Sequence, residues 1–181
     1  MTEELETLLD VAAQLEKAGV AYMLTGSMAM NYYAEPRMTR NIDIVVELKA
    51  GTAEKLATLL DTDYFVDAQS AREAAVSRRM FNAIHKERMI KVDFVVRKEG
   101  PFREEEFSRR RQVKMEGRNI WLASPEDLLL AKLHWAKDSR SEVQLRDARN
   151  ILAAVPDMDE KYLERWAALL GVQNLLNEVR A

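Results

Sequence analysis

The chain has 181 residues, the length of one ordinary domain, and 48% of them are hydrophobic, enough to bury a substantial core. With 27 Lys and Arg against 30 Asp and Glu the net charge is -3, so no overall positive field draws it onto nucleic acid or an anionic membrane. Cysteine is absent, which excludes disulfides, thiolate-bound zinc and thiol catalysis and suits a reducing cytoplasm.

Leu5, Leu8, Leu9, Ala12, Leu15 and Ala18 recur at helical spacing, and Gly19 follows as a stop. This acidic, amphipathic opening is neither signal peptide nor anchor, and no apolar run spans a bilayer, so the expectation is a soluble, unprocessed cytoplasmic protein. Val20 to Thr25 is β-prone and ends at Gly26-Ser27; Met28 to Ala34 then suits a helix until Pro36 forbids continuation. Ile42, Ile44, Val46 and Leu48 alternate with Asn41, Asp43, Val45 and Glu47, the period of a strand with one apolar face. Gly51 to Leu60 suits a further helix. Residues 79 to 85 and 89 to 97 read as two strands joined by His85-Lys86-Glu87-Arg88. In the second, Val92, Phe94 and Val96 share one face and Lys91, Asp93 and Val95 the other. Residues 115 to 119 form a turn before a short strand through Trp121 and Leu122. Ser124-Pro125-Glu126-Asp127 then combines a capping serine, a first-position proline and acids in the first turn, and everything after it reads helical. The expected division is an α/β core at 1–123 and a helical region at 124–181 that packs on it.

Asn41 and Asp43 lie two apart on a strand, so both side chains leave one face about 6 to 7 Å apart. Such spacing can bracket divalent ions, which sit roughly 3.5 to 4 Å apart in two-ion sites. Asp93, a lone carboxylate in a β-prone run, is the candidate third oxygen donor, and an all-oxygen set suits Mg²⁺. Gly26-Ser27, ending a strand and opening a helix, offers free backbone N–H groups and a helix dipole to a phosphate. Each piece alone has a plain alternative: a Gly-Ser turn with a capping serine, or an aspartate on a solvated edge. Their combination in this order is far less expected by chance.

Leu24-Thr25-Gly26-Ser27, then Asn41-Ile42-Asp43-Ile44, then Val92-Asp93-Phe94 resembles the signature of the polymerase β-type nucleotidyltransferase superfamily. The stretch from Ser124 to Lys132, followed by Arg146-Asp147, is similar to the branch of AbiEii-type toxins and MNT-like proteins. The resemblance implies an α+β nucleotidyltransferase fold, a mixed sheet flanked by helices and followed by a helical region. It also implies transfer of a nucleotide from a nucleoside triphosphate to a hydroxyl on RNA such as tRNA, on protein or on a small molecule, with two Mg²⁺ ions or Mn²⁺ in their place. On that reading Asn41, Asp43 and Asp93 hold metal, and Asp43, Asp93 and Lys132 are catalytic. Gly26, Ser27, Arg37, Thr39 and Asp147 bind substrate. Asn41 departs from the pattern, which has an aspartate there; the amide removes one negative charge from a charge-neutralising site. The competing reading is therefore a weakened or inactive partner protein, regulatory or one half of a toxin–antitoxin pair, and a homo-oligomer fits either.

Plainer readings stand beside these. Lys132 also reads as a snorkelling helix lysine, and Arg37 and Arg40 as residues of a solvated loop. His85 and His134 suggest no transition-metal site. Arg103, Arg109, Arg110, Arg111 and Lys114 share their segment with Glu104, Glu105 and Glu106 and read as a mixed, solvated helix face. Trp121, Trp135 and Trp166 read as core or interface anchors, and Glu47 as surface.

Overall fold

The computed structural model describes residues 1–181. Helix α1 (Glu3–Ala18) is capped at its start by the Thr2 side chain and ends at Gly19, whose φ of 73° is the left-handed conformation a glycine adopts freely. Strand β1 (Tyr22–Thr25) leads directly into α2 (Gly26–Tyr33), and β2 (Asn41–Val46) follows the loop around Pro36. Next come α3 (Ala50–Leu60), β3 (Tyr64–Val66), α4 (Ala68–Ser77), β4 (Met80–His85) and β5 (Lys91–Val96). The first part closes with α5 (Pro101–Ser108), β6 (Arg111–Met115) and β7 (Arg118–Leu122). Four helices complete the chain: α6 (Pro125–Ser139), α7 (Glu142–Ala154), α8 (Glu160–Leu170) and α9 (Gln173–Arg180).

The strands form one mixed seven-stranded sheet in the order β3-β4-β5-β2-β1-β7-β6. The β2–β5 and β1–β7 pairs are parallel and the others antiparallel. Fold class thus follows the expectation, an α+β arrangement with helices flanking a mixed sheet. Ile42, Ile44 and Val46 alternate with partly exposed Asn41, Asp43 and Val45 and are completely buried beside Val92, Phe94 and Val96. Burial of each such side chain stabilises the fold by about 1.5–3 kcal/mol. One continuous apolar core runs from Leu8 and Leu15 through the sheet to Leu129, Leu163 and Leu176, and so includes both parts of the chain. Met23, Phe107 and Ala123, with Val45 against them, form a smaller cluster. No helix is long and apolar enough to cross a membrane.

Residues 61 to 78 hold β3 and α4, and residues 101 to 115 hold α5 and β6, elements whose short or charge-broken apolar patterns gave little periodic signal. The basic stretch accordingly splits. Arg103 lies on α5 and Arg111 and Lys114 on β6, while Arg109 stacks 3.8 Å from the Tyr162 ring and reaches Glu126 and Asp127. Trp166 is buried as an anchor should be, but Trp135 is 74% exposed on α6 and anchors no core.

Candidate functional site

The site forms where β1 ends, β2 and β5 begin and α2 starts. The parallel register of β2 and β5 sets Asn41 opposite Lys91 and Asp43 opposite Asp93, while antiparallel pairing sets Asp43 beside Thr25 of β1. Thr25 is followed at once by Gly26, with φ 67°. A Cβ there would lie 2.2 Å from Asp43 Oδ2, so the carboxylate packs directly on the glycine Cα. The α2 N-terminus carries no side-chain cap, so its first-turn N–H groups are not claimed by Thr25.

Asp43 Oδ1 and Asp93 Oδ2 converge on a single point. Asn41 Nδ2 sits there in the structure, donating to the two oxygens at 2.9 and 3.0 Å. The other end of the amide, Oδ1, is buried without a hydrogen-bond partner. Lys91 Nζ lies 2.8 Å from Asp93 Oδ1 and 3.0 Å from Oδ2. Burial, then the charge of Asp93, pushes the Asp43 carboxyl above its ordinary pKa, and Lys132, Lys91 and the Asn41 hydrogen bond pull it back only in part.

A second cluster adjoins the first. Asp147 of α7 is completely buried and accepts from Arg37 Nε at 3.1 Å, Arg37 Nη2 at 3.0 Å and Lys132 Nζ at 2.8 Å. Arg37 Nη2 also donates to Ser27 Oγ at 2.5 Å. Burial alone would raise the Asp147 pKa, but the hydrogen bonds and charges of Arg37 and Lys132 outweigh it and hold the carboxyl below its ordinary value. The Arg37 backbone is fastened on both sides by Asn31, whose Nδ2 donates to the Arg37 carbonyl and whose Oδ1 accepts from the Arg37 N–H. Thr39 Oγ1 accepts from the Asn41 N–H at 3.3 Å and so terminates β2 rather than facing outward alone.

The fold therefore brings Gly26, Ser27, Arg37, Asn41, Asp43, Asp93, Lys132 and Asp147 into two adjoining clusters, with Thr39 at the strand entry. Lys132 is 4% exposed and ion-paired, neither solvated nor snorkelling, and Arg37 is not a free loop arginine. Sequence reading passed over Lys91 and Asn31. Lys91 shares the strand face of Asp93, but its juxtaposition with Asn41 needs the strand pairing, and Asn31 needs the return of the loop.

For a divalent cation the donor chemistry fits one ion. Two carboxylate oxygens meet at one point, and turning the Asn41 amide would exchange an N–H donor for the buried, unpartnered Oδ1. No group of three or more carboxylate, imidazole or thiolate side chains gathers here, so the donor set is two carboxylates and the Asn41 amide.

No protein-family model matches the chain. No curated protein matches it in sequence. Solved structures do resemble it. An antigenic nucleotidyltransferase-like protein from Paracoccidioides brasiliensis superposes with a TM-score of 0.59 at 17% identity, covering 98% of this chain and 92% of that one. ANT(2")-Ia in complex with adenylyl-2"-tobramycin gives 0.63 at 12% identity, over 93% and 97% of the two chains. The lincomycin-bound lincosamide antibiotic adenylyltransferase LnuA gives 0.58 at 19%, over 85% and 98%. Likeness over most of the length of such structures gives this chain the nucleotidyltransferase fold.

Proposed function

We propose that the protein binds a nucleoside triphosphate together with one Mg²⁺ ion, or Mn²⁺ in its place, and transfers the nucleotidyl group to a hydroxyl of a small molecule. The observation that carries this reading is the convergence of Asp43 and Asp93 on one point beside the uncapped, glycine-led start of α2. The adenylyltransferases ANT(2")-Ia and LnuA, whose structures hold a tobramycin adduct and lincomycin, favour a small-molecule acceptor over tRNA or protein.

In this reading the polyphosphate lies along the first turn of α2, held by backbone N–H groups and by Ser27 Oγ, with the helix dipole favouring its charge. Arg37 and Lys132 balance the phosphate charge from positions that Asp147 fixes, and their preset geometry lowers the ordering cost of binding. The acceptor oxygen forms a bond to the α-phosphorus, the bond from that phosphorus to pyrophosphate breaks, and the acceptor proton passes to the Asp93 carboxylate. Asp43 and Asp93 would hold the cation, which would supply neutralisation of phosphate charge.

A second reading is a catalytically weakened partner protein, regulatory or one half of a toxin–antitoxin pair, as the similarity of Ser124–Lys132 and Arg146-Asp147 to AbiEii-type toxins also suggests. It is supported by Asn41, whose amide stands where the family pattern has an aspartate and donates to one oxygen of each carboxylate. Calorimetric titration with each nucleoside triphosphate and Mg²⁺ tests the first part: no binding of any nucleotide at millimolar metal rejects the proposal. Transfer of labelled nucleotide to aminoglycoside and lincosamide alcohols by wild type, abolished in Asp43→Ala, supports an enzyme. Transfer gained only in Asn41→Asp supports the second reading.

A further inference from the structure

Sites built for two divalent ions hold more carboxylates than neighbouring cations, because the ions supply the balancing charge. Here the numbers are equal, three carboxylates and three cations, with Lys91 paired to Asp93 and both Lys132 and Arg37 paired to Asp147. Lys91 is the member with no other task. Its backbone faces Asn41 across the β2–β5 pair, so an amide and an ammonium occupy adjacent positions at the mouth of the carboxylate pair. The Lys91 side chain is 43% exposed while that of Asp93 is 8% exposed, so the ammonium reaches in from solvent over a buried carboxylate and touches both of its oxygens. An ordinary surface ion pair is weak and interchangeable. This one ends on a buried charge, where the local dielectric is lower and the pairing correspondingly stronger.

We propose that Lys91 is the resident cation of the site: its ammonium holds the flank of Asp93 in place of a second divalent ion, so that the carboxylate pair accepts a single ion. The relation to chemistry rests on the nucleotide-binding reading above, but the competition between Lys91 and a metal ion does not. Asn41 and Lys91 act together in this assignment, since the amide withholds a third anionic ligand and the lysine offsets the charge of an existing one.

The test is a Mn²⁺ titration of the whole protein, followed by the electron paramagnetic resonance signal of the free ion without nucleotide. It compares wild type, Lys91→Met, Lys91→Gln, Lys91→Arg and the double variant Asn41→Asp/Lys91→Met, each checked for an unchanged thermal transition. Wild type and Lys91→Arg are expected to bind no more than one Mn²⁺, the two neutral variants to bind it at least about tenfold tighter, and the double variant to bind two. Equal affinity and number in wild type, Lys91→Met and Lys91→Gln, no binding in any of the three, or two ions already in wild type would overturn the proposal. ATP binding measured alongside separates the two ideas: its absence, with the lysine dependence intact, rejects nucleotide binding and upholds the role of Lys91.

Discussion

Gly26 shows how one residue can hold a site in shape. Its left-handed φ of 67° is open to glycine and costly to any other L residue, and its missing Cβ leaves the space in which Asp43 Oδ2 lies. Gly26→Ala meets both obstacles together. It is expected to destabilise the protein by about 2 kcal/mol through backbone strain, read from urea unfolding, and to turn the Asp43 carboxylate away from Asp93, read as lost Mn²⁺ binding. Stability and metal binding both at the wild-type level would show that the carboxylate position does not depend on the glycine. Gly26 was legible in the sequence as a turn residue at a strand end. Its contact with a carboxylate 17 positions further on was not, because that depends on the antiparallel register of β1 against β2.

At the scale of elements, Asp147 joins parts that are distant in the chain. It ties α7 to α6 through Lys132 and to the loop before β2 through Arg37, and Arg37 in turn reaches α2 at Ser27. Removing its charge leaves a buried ammonium without a partner, a loss of about 3 kcal/mol or more. Asp147→Asn is therefore expected to lower the urea midpoint strongly at pH 7. The sign with pH follows from the direction of the shift: the folded carboxyl is held below its ordinary value of 3.8, so its stabilisation is complete above that value and is lost as pH falls through the lower folded one. Wild type should lose this contribution below about pH 4 and the variant should not, so the stability gap narrows in acid. A gap independent of pH would refute the account. The helices α6 and α7 were readable from Ser124-Pro125 onward. The buried salt bridge between them was not, since periodicity gives a helix its apolar face but not the partner of a charged residue on it.

For the whole molecule, the continuity of the apolar core from α1 through the sheet to α9 implies a single cooperative unit. Calorimetry is expected to show one thermal transition with equal calorimetric and van't Hoff enthalpies; two separable transitions would mean that 1–123 and 124–181 fold independently. Composition, alternation and cap residues were enough to determine the mixed α/β class, the strand carrying Asn41 and Asp43, the strand carrying Asp93 and the start of α6, because each depends on local geometry and local hydrogen bonding. Tertiary structure alone decided that Asp43 and Asp93 share a register, that the Asn41 amide bridges them and that Lys91 flanks Asp93. It also decided that Trp135, an apparent anchor, points to solvent. Those facts depend on strand pairing and helix docking, which are set by the burial of apolar surface from the whole chain at once and leave no local pattern at the residues concerned.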